Sequence, residues 1–255
     1  MERIYWYFKR VLFPSLRPLK TRGIIIAGMH RSGTSCLTGL LEISGLWAGD
    51  VIRQAKHNPK GTRENRRVFT MNDELLERSG GSWDNPPEVV RVRTDDLVKT
   101  RLILQDYESA RQWVLKDPRF LFTLDAWVVH LIDYQLIGTF RHPEAVAMSL
   151  YRRNRIPLEE GRRLWLKYNK KMVSLHRKTS FPLLQFGLDE KEYLEQYRTL
   201  CYMLKLPYNH DRIKNFYDDD LVHNRDEYSM PDDPELRSVY QYLLEHRIPI
   251  AGGTL

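Results

Sequence analysis

The chain has 255 residues, 42% of them hydrophobic, which is enough to bury a substantial core in one domain. Its formal net charge of +7 is concentrated near the N-terminus, because residues 1–22 contain six Lys or Arg and one Glu, leaving only +2 on the rest. A basic face spread over the domain, typical of general nucleic-acid binding, is therefore excluded. Two cysteines, Cys36 and Cys201, make no disulfide framework, so we expect a reducing, cytoplasmic location.

Residues 1–22 form a basic, aromatic leader before a single predicted domain over 23–255. Tyr, Trp and Phe are mixed with cations, and no apolar run is long enough to span a membrane or to resemble a secretory signal. Two interpretations stay open. The leader is either a peripheral membrane anchor, with aromatic rings at headgroup level and cations on anionic lipid, or an N-terminal helix packed on the domain.

The first predicted strand runs directly into a glycine-bounded loop and a helix. Residues 24–26 are three isoleucines, typical of a strand buried on both faces of a parallel sheet, whereas the leucines over 37–41 recur at helical spacing. Gly28 and Gly33 allow the loop to turn so that successive backbone N–H groups point at one anion, which the helix dipole also favours. We call residues 28–35 the anion loop. The alternative is a plain turn without a ligand.

The anion loop has the glycine spacing of a nucleotide-binding P-loop but a different cation. Thr34 stands where the nucleotide-hydrolysing loop has its lysine, so the usual contact with the β- and γ-phosphates is missing. The nearest cation is Arg31, which can bind an oxyanion through two N–H groups. This substitution argues against a P-loop kinase. The kinase stays an alternative, together with a catalytically silent nucleotide-binding or scaffold protein.

Strands and helices alternate along the rest of the chain. This order predicts an α/β fold, a mainly parallel sheet flanked by helices in a P-loop-like three-layer sandwich. The predicted elements are a helix from Glu64 through Leu76, a strand over 113–116, a helix over 120–131, a strand over 136–140, a helix after Pro143, a strand over 181–186, and helices over 190–204 and 234–246.

A second strand-loop-helix unit carries polar groups of the same kind. Arg141 follows the strand over 136–140, and Pro143 sets the first turn of the helix that carries Ser149. In open α/β sheets ligands bind outside the carboxyl ends of the strands, so this unit and the anion loop can hold two ends of one nucleotide. The alternative for Arg141 is a salt-bridged strand terminus.

These motifs resemble those of the sulfotransferases that use 3′-phosphoadenosine 5′-phosphosulfate. In that family the first loop binds the 5′-phosphosulfate, and an Arg with a Ser eight positions later, here Arg141 and Ser149, binds the 3′-phosphate. The matching loop residues here are Arg31, Ser32, Gly33, Thr34 and Ser35. Further segments resemble a mostly bacterial, carbohydrate-type branch, namely 57–61 with Glu64, 80–83, 116–119, and Trp165 with 168–169.

The resemblance implies transfer of a sulfuryl group to a hydroxyl of a carbohydrate or glycolipid, with 3′-phosphoadenosine 5′-phosphate (PAP) as the product. Such transfer requires a base for the hydroxyl proton and cations for the developing charge, but no metal. Glu64 is the first candidate base, because the branch places a glutamate there. His57 is the rival, since imidazole titrates near neutral pH. The plainer alternatives are a first-turn acid on a helix and a surface histidine.

Lys116 and a late segment of the chain complete the predicted site. Lys116 ends a buried strand, where a charge is costly unless an anion meets it, and we place it near the bridging oxygen or the acceptor. Asp117 can orient Lys116 or Arg119, with a simple internal ion pair as the alternative. In the family a late segment closes over the 3′-phosphate, and the resemblance offers His223 or Arg225 for that role, of which Arg225 is the first candidate. The histidines and cysteines form no recognisable zinc ligand set, so no metal is predicted.

Overall fold

The computed structural model describes residues 17–54, 61–218 and 228–250. A short 3₁₀ turn covers Gln105–Tyr107. The helices and strands in these residues are β1 (Arg22–Ala27), α1 (Thr34–Ile43), α2 (Arg66–Arg78), α3 (Thr94–Leu104), β2 (Gln112–Lys116), α4 (Phe120–Thr123), α5 (Asp125–Val128), β3 (Tyr134–Phe140), α6 (Pro143–Asn154), α7 (Leu158–Thr179), β4 (Leu183–Gln185), α8 (Glu190–Leu204), α9 (His210–Asp218) and α10 (Pro234–Glu245).

The strands form one parallel sheet in the order β2-β1-β3-β4. In the centre, Ile25 of β1 lies opposite Leu115 of β2 and Leu136 of β3. The chain passes from β2 on one side of β1 to β3 on the other, so the strand order reverses at β1. A reversal of this kind opens a crevice at the carboxyl ends of the two strands, here β1 and β3.

Both faces of the sheet are covered by helices, because successive side chains of β1 point to opposite sides. Ile24 and Ile26 pack with residues of α1, α8 and α9, whereas Ile25 and Ala27 pack with residues of α2, α5 and α7. All four side chains are at most 2% exposed. The predicted α/β fold with a parallel sheet is confirmed.

The predicted helix over 120–131 differs from the structure, which has two short helices, α4 and α5, separated at Leu124. The Thr123 hydroxyl donates to Asn72 Oδ1 (2.8 Å) on α2 and to the Arg119 carbonyl (3.1 Å). Such side-chain hydrogen bonds compete with regular helix geometry. Leu131 is instead bridged to Leu19. The predicted strand over 181–186 is also shorter, since only Leu183–Gln185 pair as β4.

Part of the predicted leader contacts the domain. The Leu19 N–H donates to the His130 carbonyl (2.7 Å), and Arg101 Nε donates to the Arg17 carbonyl (2.5 Å). Residues 1–16, which hold all the aromatic side chains of the leader, lie outside the described residues. No helix in the described part of the chain combines the length and the apolar character that crossing a bilayer requires.

Candidate active site

The anion loop bends sharply between β1 and α1. Arg31 (φ 66°) and Gly33 (φ 82°) both have left-handed backbone conformations, which turn backbone N–H groups towards one point. Gly28 leaves no room for a side chain, because a Cβ there would lie 2.7 Å from the Thr139 carbonyl oxygen. Gly28 therefore allows the loop to lie close to the end of β3.

The loop ends at a helix N-terminus that fits an anion. The N-cap residue of α1, which begins at Thr34, is Gly33, and no side chain among the described residues caps this terminus. Uncapped N-termini of helices bind anions through backbone N–H groups and the helix dipole. The Ser32 hydroxyl is fully buried and has no hydrogen-bond partner among the described residues. Its carbonyl, by contrast, accepts a hydrogen bond from Thr139 Oγ1 (2.8 Å). A phosphate or sulfuryl group fits these donors.

The anion loop is joined directly to the second motif. Arg31 Nε donates to Ser149 Oγ on α6 at 2.7 Å. Burial, followed by the charges of Arg153 and Arg141, lowers the pKa of the Arg31 guanidinium to about 10. Arg31 therefore remains protonated at neutral pH, and Arg153 and Arg141 both lie close enough to repel it. An anion bound to Arg31 and Arg141 relieves part of that repulsion.

Arg141 is held at the carboxyl end of β3 by aromatic residues. Its guanidinium carbon lies 5.5 Å from the centre of the Phe186 ring, a cation–π distance. Its carbonyl accepts a hydrogen bond from Trp165 Nε1 (2.9 Å), and Trp165 is fully buried in the core. Trp165 thus supports the backbone of the candidate nucleotide site.

Glu64 and Lys116 form an ion pair beside the anion loop. Glu64 Oε1 lies 2.7 Å from Lys116 Nζ, and the side chain of Lys116 is only 2% exposed. Lys116 also donates to the Thr62 carbonyl (2.8 Å), which accepts a second hydrogen bond from Ser35 Oγ (2.9 Å). The Thr62 carbonyl therefore links the candidate base, the lysine and the start of α1.

The pair keeps the Glu64 carboxylate ionised. Burial raises the pKa of Glu64, but the charge and hydrogen bond of Lys116, with a further contribution from Arg119, lower it by more, and the net pKa is below its ordinary value. Glu64 is thus deprotonated at neutral pH, as a base must be, but weakened while Lys116 holds it.

Arg119 lies in a second buried network. Its Nε is 2.5 Å from Asp73 Oδ1, and its backbone N–H donates to Asp117 Oδ1 (2.8 Å). Burial raises the pKa of Asp117 to about 6, although the charge of Arg119 opposes the shift. Of the two partners predicted for Asp117, the structure pairs it with Arg119, whereas Lys116 pairs with Glu64.

The fold and these groups can be compared with known proteins. No protein-family model matches the sequence, and no curated protein matches it. Solved structures do. The sulfotransferase STF9 from Mycobacterium avium is 16% identical with a TM-score of 0.58, and the match covers 97% of this chain and 82% of that one. The chain has the sulfotransferase fold.

Two further sulfotransferase domains share this fold. The domain from the curacin biosynthetic pathway is 16% identical with a TM-score of 0.57, covering 91% of this chain and 100% of that one. The domain from the Synechococcus PCC 7002 olefin synthase is 18% identical with a TM-score of 0.52, covering 80% of this chain and 79% of that one. At such identities the likeness concerns the fold.

Most of the predicted site residues lie around this crevice. The anion loop, Ser149, Glu64 and Lys116 are connected by the hydrogen bonds above, and Arg141 lies close enough to act on the charge of Arg31. His57 and Arg225 lie outside the described residues, so their roles stay predictions. Within the described ranges, no group of three or more His, Cys, Asp or Glu side chains is placed to hold a metal ion.

Sequence reasoning missed three contributors to the site. The Thr62 carbonyl and the Thr139 hydroxyl act through contacts with Lys116 and the anion loop, and no local pattern signals such contacts. Arg153 is different. It lies four residues after Ser149 on α6. This spacing places both side chains on one face of a helix, so the sequence could have predicted that Arg153 lies near Ser149.

Gly33→Ala is expected to destabilise the protein and abolish PAP binding, because alanine is strained at φ 82° and its Cβ would lie 2.4 Å from the Phe186 ring. Gly45→Ala is the matched control, since Gly45 has φ 94° but open space around the new Cβ. The control should lower Tm by roughly 2–4 °C, as about 1 kcal/mol of strain does in a domain of this size, and leave binding intact. Equal effects of both variants on calorimetric PAP titrations would contradict the assignment of the loop.

Proposed function

We propose that this protein is an enzyme, a sulfotransferase that moves a sulfuryl group from 3′-phosphoadenosine 5′-phosphosulfate to a hydroxyl of a carbohydrate or glycolipid. The observation that carries the proposal is the Thr62 carbonyl, which joins Ser35 at the anion-binding helix terminus to the Glu64–Lys116 pair. A candidate anion site and the Glu64–Lys116 ion pair thus share one hydrogen-bonded unit, an arrangement that suits group transfer from a phosphosulfate. The sulfotransferase fold of the chain supports the same function.

The donor would be held at both phosphate positions. The backbone of the anion loop, the Ser32 hydroxyl and Arg31 bind the 5′-phosphosulfate, and Arg141 with Ser149 binds the 3′-phosphate. Because Arg31 contacts Ser149, the two subsites are adjacent, as the two phosphate-bearing positions of one ribose are. Arg225 is proposed as a further ligand of the 3′-phosphate.

The chemical step needs one proton acceptor and no redox partner. Glu64 takes the proton of the acceptor hydroxyl, whose oxygen forms a bond to sulfur in line with the breaking bond between sulfur and the bridging oxygen. PAP leaves with the electron pair of that bond. Lys116 and Arg31 stabilise the charge that develops on the sulfuryl group and on the leaving phosphate. His57 is the alternative base.

Lys116 has two successive partners in this proposal. In the free enzyme it is bound to Glu64. An incoming phosphosulfate would attract the Lys116 ammonium group more strongly than Glu64 does. Once Lys116 has left Glu64, the pKa of the Glu64 carboxyl would rise towards the range of an effective base. Donor binding would then activate the base.

Binding of PAP without a metal distinguishes the proposed sulfotransferase from a P-loop kinase. Calorimetric titration in chelator should show PAP binding, and Arg141→Ala should weaken it about thirtyfold, since a charge-assisted contact contributes on the order of 2 kcal/mol. Tighter binding of ATP with magnesium than of PAP would favour the kinase. PAP binding without transfer to any sugar would favour a silent nucleotide-binding protein.

We also propose a cytoplasmic location, with membrane contact through residues 1–22.

A further inference from the structure

His30, which directly precedes Arg31, has an unused ring nitrogen. Its Nε2 is buried and has no hydrogen-bond partner among the described residues. The imidazole packs against Trp83, with ring centroids 4.8 Å apart, and against Tyr168 at 5.8 Å. A buried polar atom without a partner is costly, so an atom of this kind beside a candidate active site points to a ligand.

Cations converge on this histidine. Burial, followed by the charges of Arg119, Lys116, Arg153 and Arg31, lowers the pKa of His30 well below its ordinary value. The imidazole is therefore neutral at physiological pH. A neutral imidazole forms hydrogen bonds with a hydroxyl without adding another positive charge.

Arg153 is the cation around His30 that the proposed donor site does not use. Arg119 is paired with Asp73 and Asp117, and Lys116 with Glu64. Arg153 is exposed and has no ion-pair partner in the part of the chain that the structure describes. Arg153 lies one helical turn after Ser149 on α6. Ser149 contacts Arg31, the neighbour of His30, at 2.7 Å, so Arg153 lies on the face of α6 that meets the anion loop.

An aromatic surface lies on the same side. Trp83 is half-buried, and its carbonyl accepts a hydrogen bond from the buried Tyr168 hydroxyl (2.7 Å), which fixes the segment to α7. A partly exposed indole held in this way offers a flat apolar face, and the ring of a sugar can pack on such a face through its C–H groups.

We propose that His30, Trp83 and Arg153 form the acceptor subsite and that the acceptor is an anionic sugar. The sugar ring packs on Trp83, one of its hydroxyls hydrogen-bonds to His30 Nε2, and its carboxylate or phosphate binds Arg153. This inference rests on the proposed function, which supplies the donor site next to it. It narrows the acceptor to sugars that already carry a negative charge.

The test uses the full-length chain saturated with PAP and two matched pairs of probes. The pairs are p-nitrophenyl β-D-glucuronide with p-nitrophenyl β-D-glucoside, and glucose 6-phosphate with glucose. The anionic member of at least one pair should bind about tenfold more tightly, because a charge-assisted contact is added. Arg153→Ala should remove this preference and leave PAP affinity within about twofold. Arg152→Ala, its exposed neighbour, is the control and should change neither quantity.

His30→Phe keeps a ring against Trp83 and removes the nitrogen. It should weaken both members of the preferred pair by the same factor and leave their ratio and PAP affinity unchanged, with thermal unfolding confirming that the variant is folded. Absence of any anionic preference in the wild type overturns the inference. So does loss of PAP affinity in Arg153→Ala with the preference retained, because Arg153 would then bind the donor. A wild type that fails to bind PAP overturns the proposed function, and this inference with it.

Discussion

Glu64→Gln is expected to lower turnover by about a hundredfold or more while PAP affinity stays nearly unchanged. Glutamine preserves the shape of the side chain and can still accept a hydrogen bond from Lys116, but it cannot take a proton from the acceptor. The measurement is steady-state transfer of labelled sulfuryl to a sugar that the wild type accepts, together with calorimetric titration of PAP. A parallel fall in turnover and in PAP affinity would indicate a structural role for the carboxylate.

His57→Asn is the paired control for this variant. It removes the rival base and should leave turnover close to that of the wild type. If the asparagine variant is inactive and the glutamine variant is active, the two roles must be exchanged.

Lys116→Met should reduce both activity and stability. Turnover should fall by about 10²- to 10³-fold, as when one group that stabilises transition-state charge is removed. The substitution also leaves the Glu64 carboxylate, only 17% exposed, without its partner. Breaking one side of a buried ion pair costs about 3 kcal/mol at neutral pH. Urea unfolding at pH 7 measures the loss.

The pH dependence of this loss follows from the pKa of Glu64. In the native protein that pKa lies below its ordinary value of 4.5, so the pair contributes stability above this pH and loses it as the pH falls through the folded pKa. Without Lys116, burial raises the pKa instead, and the variant regains stability on acidification as Glu64 takes up a proton. The difference between the two proteins should therefore be largest near pH 7 and shrink towards pH 4.

The double variant Lys116→Met, Glu64→Gln is the decisive control for stability. It removes the orphaned charge and should recover most of the loss, while remaining inactive. A double variant no more stable than Lys116→Met alone would mean that the lost packing of the lysine, rather than the unpaired carboxylate, causes the destabilisation.

Elements of the fold that depend on neighbouring residues could be read from the sequence. The predicted helix over 190–204 has the observed bounds, because Asp189 caps it by accepting a hydrogen bond from the Glu192 N–H (2.8 Å) and Lys205 ends it in a left-handed conformation. The isoleucines of β1 likewise form a strand buried on both faces, as three consecutive branched side chains require.

The helix predicted over 120–131 shows a limit of prediction from local sequence patterns. Its apolar pattern is continuous, yet the structure divides it at Leu124. Next to the break, the Thr123 hydroxyl donates a hydrogen bond to Asn72, 51 residues away in the chain. A periodic pattern contains no information about a partner at that distance.

The same distinction holds for the site. The sequence by itself predicted the chemistry proposed for the anion loop, since Gly28, Gly33 and the absence of the P-loop lysine are local features. It named Glu64 and Lys116 separately and allowed Lys116 to pair with Asp117. Only the tertiary structure decided that Lys116 meets Glu64, 52 residues away, because the order of strands around β1 determines which segments adjoin the end of β2. Strand order is set by packing of the whole core, and no single segment of the sequence encodes it.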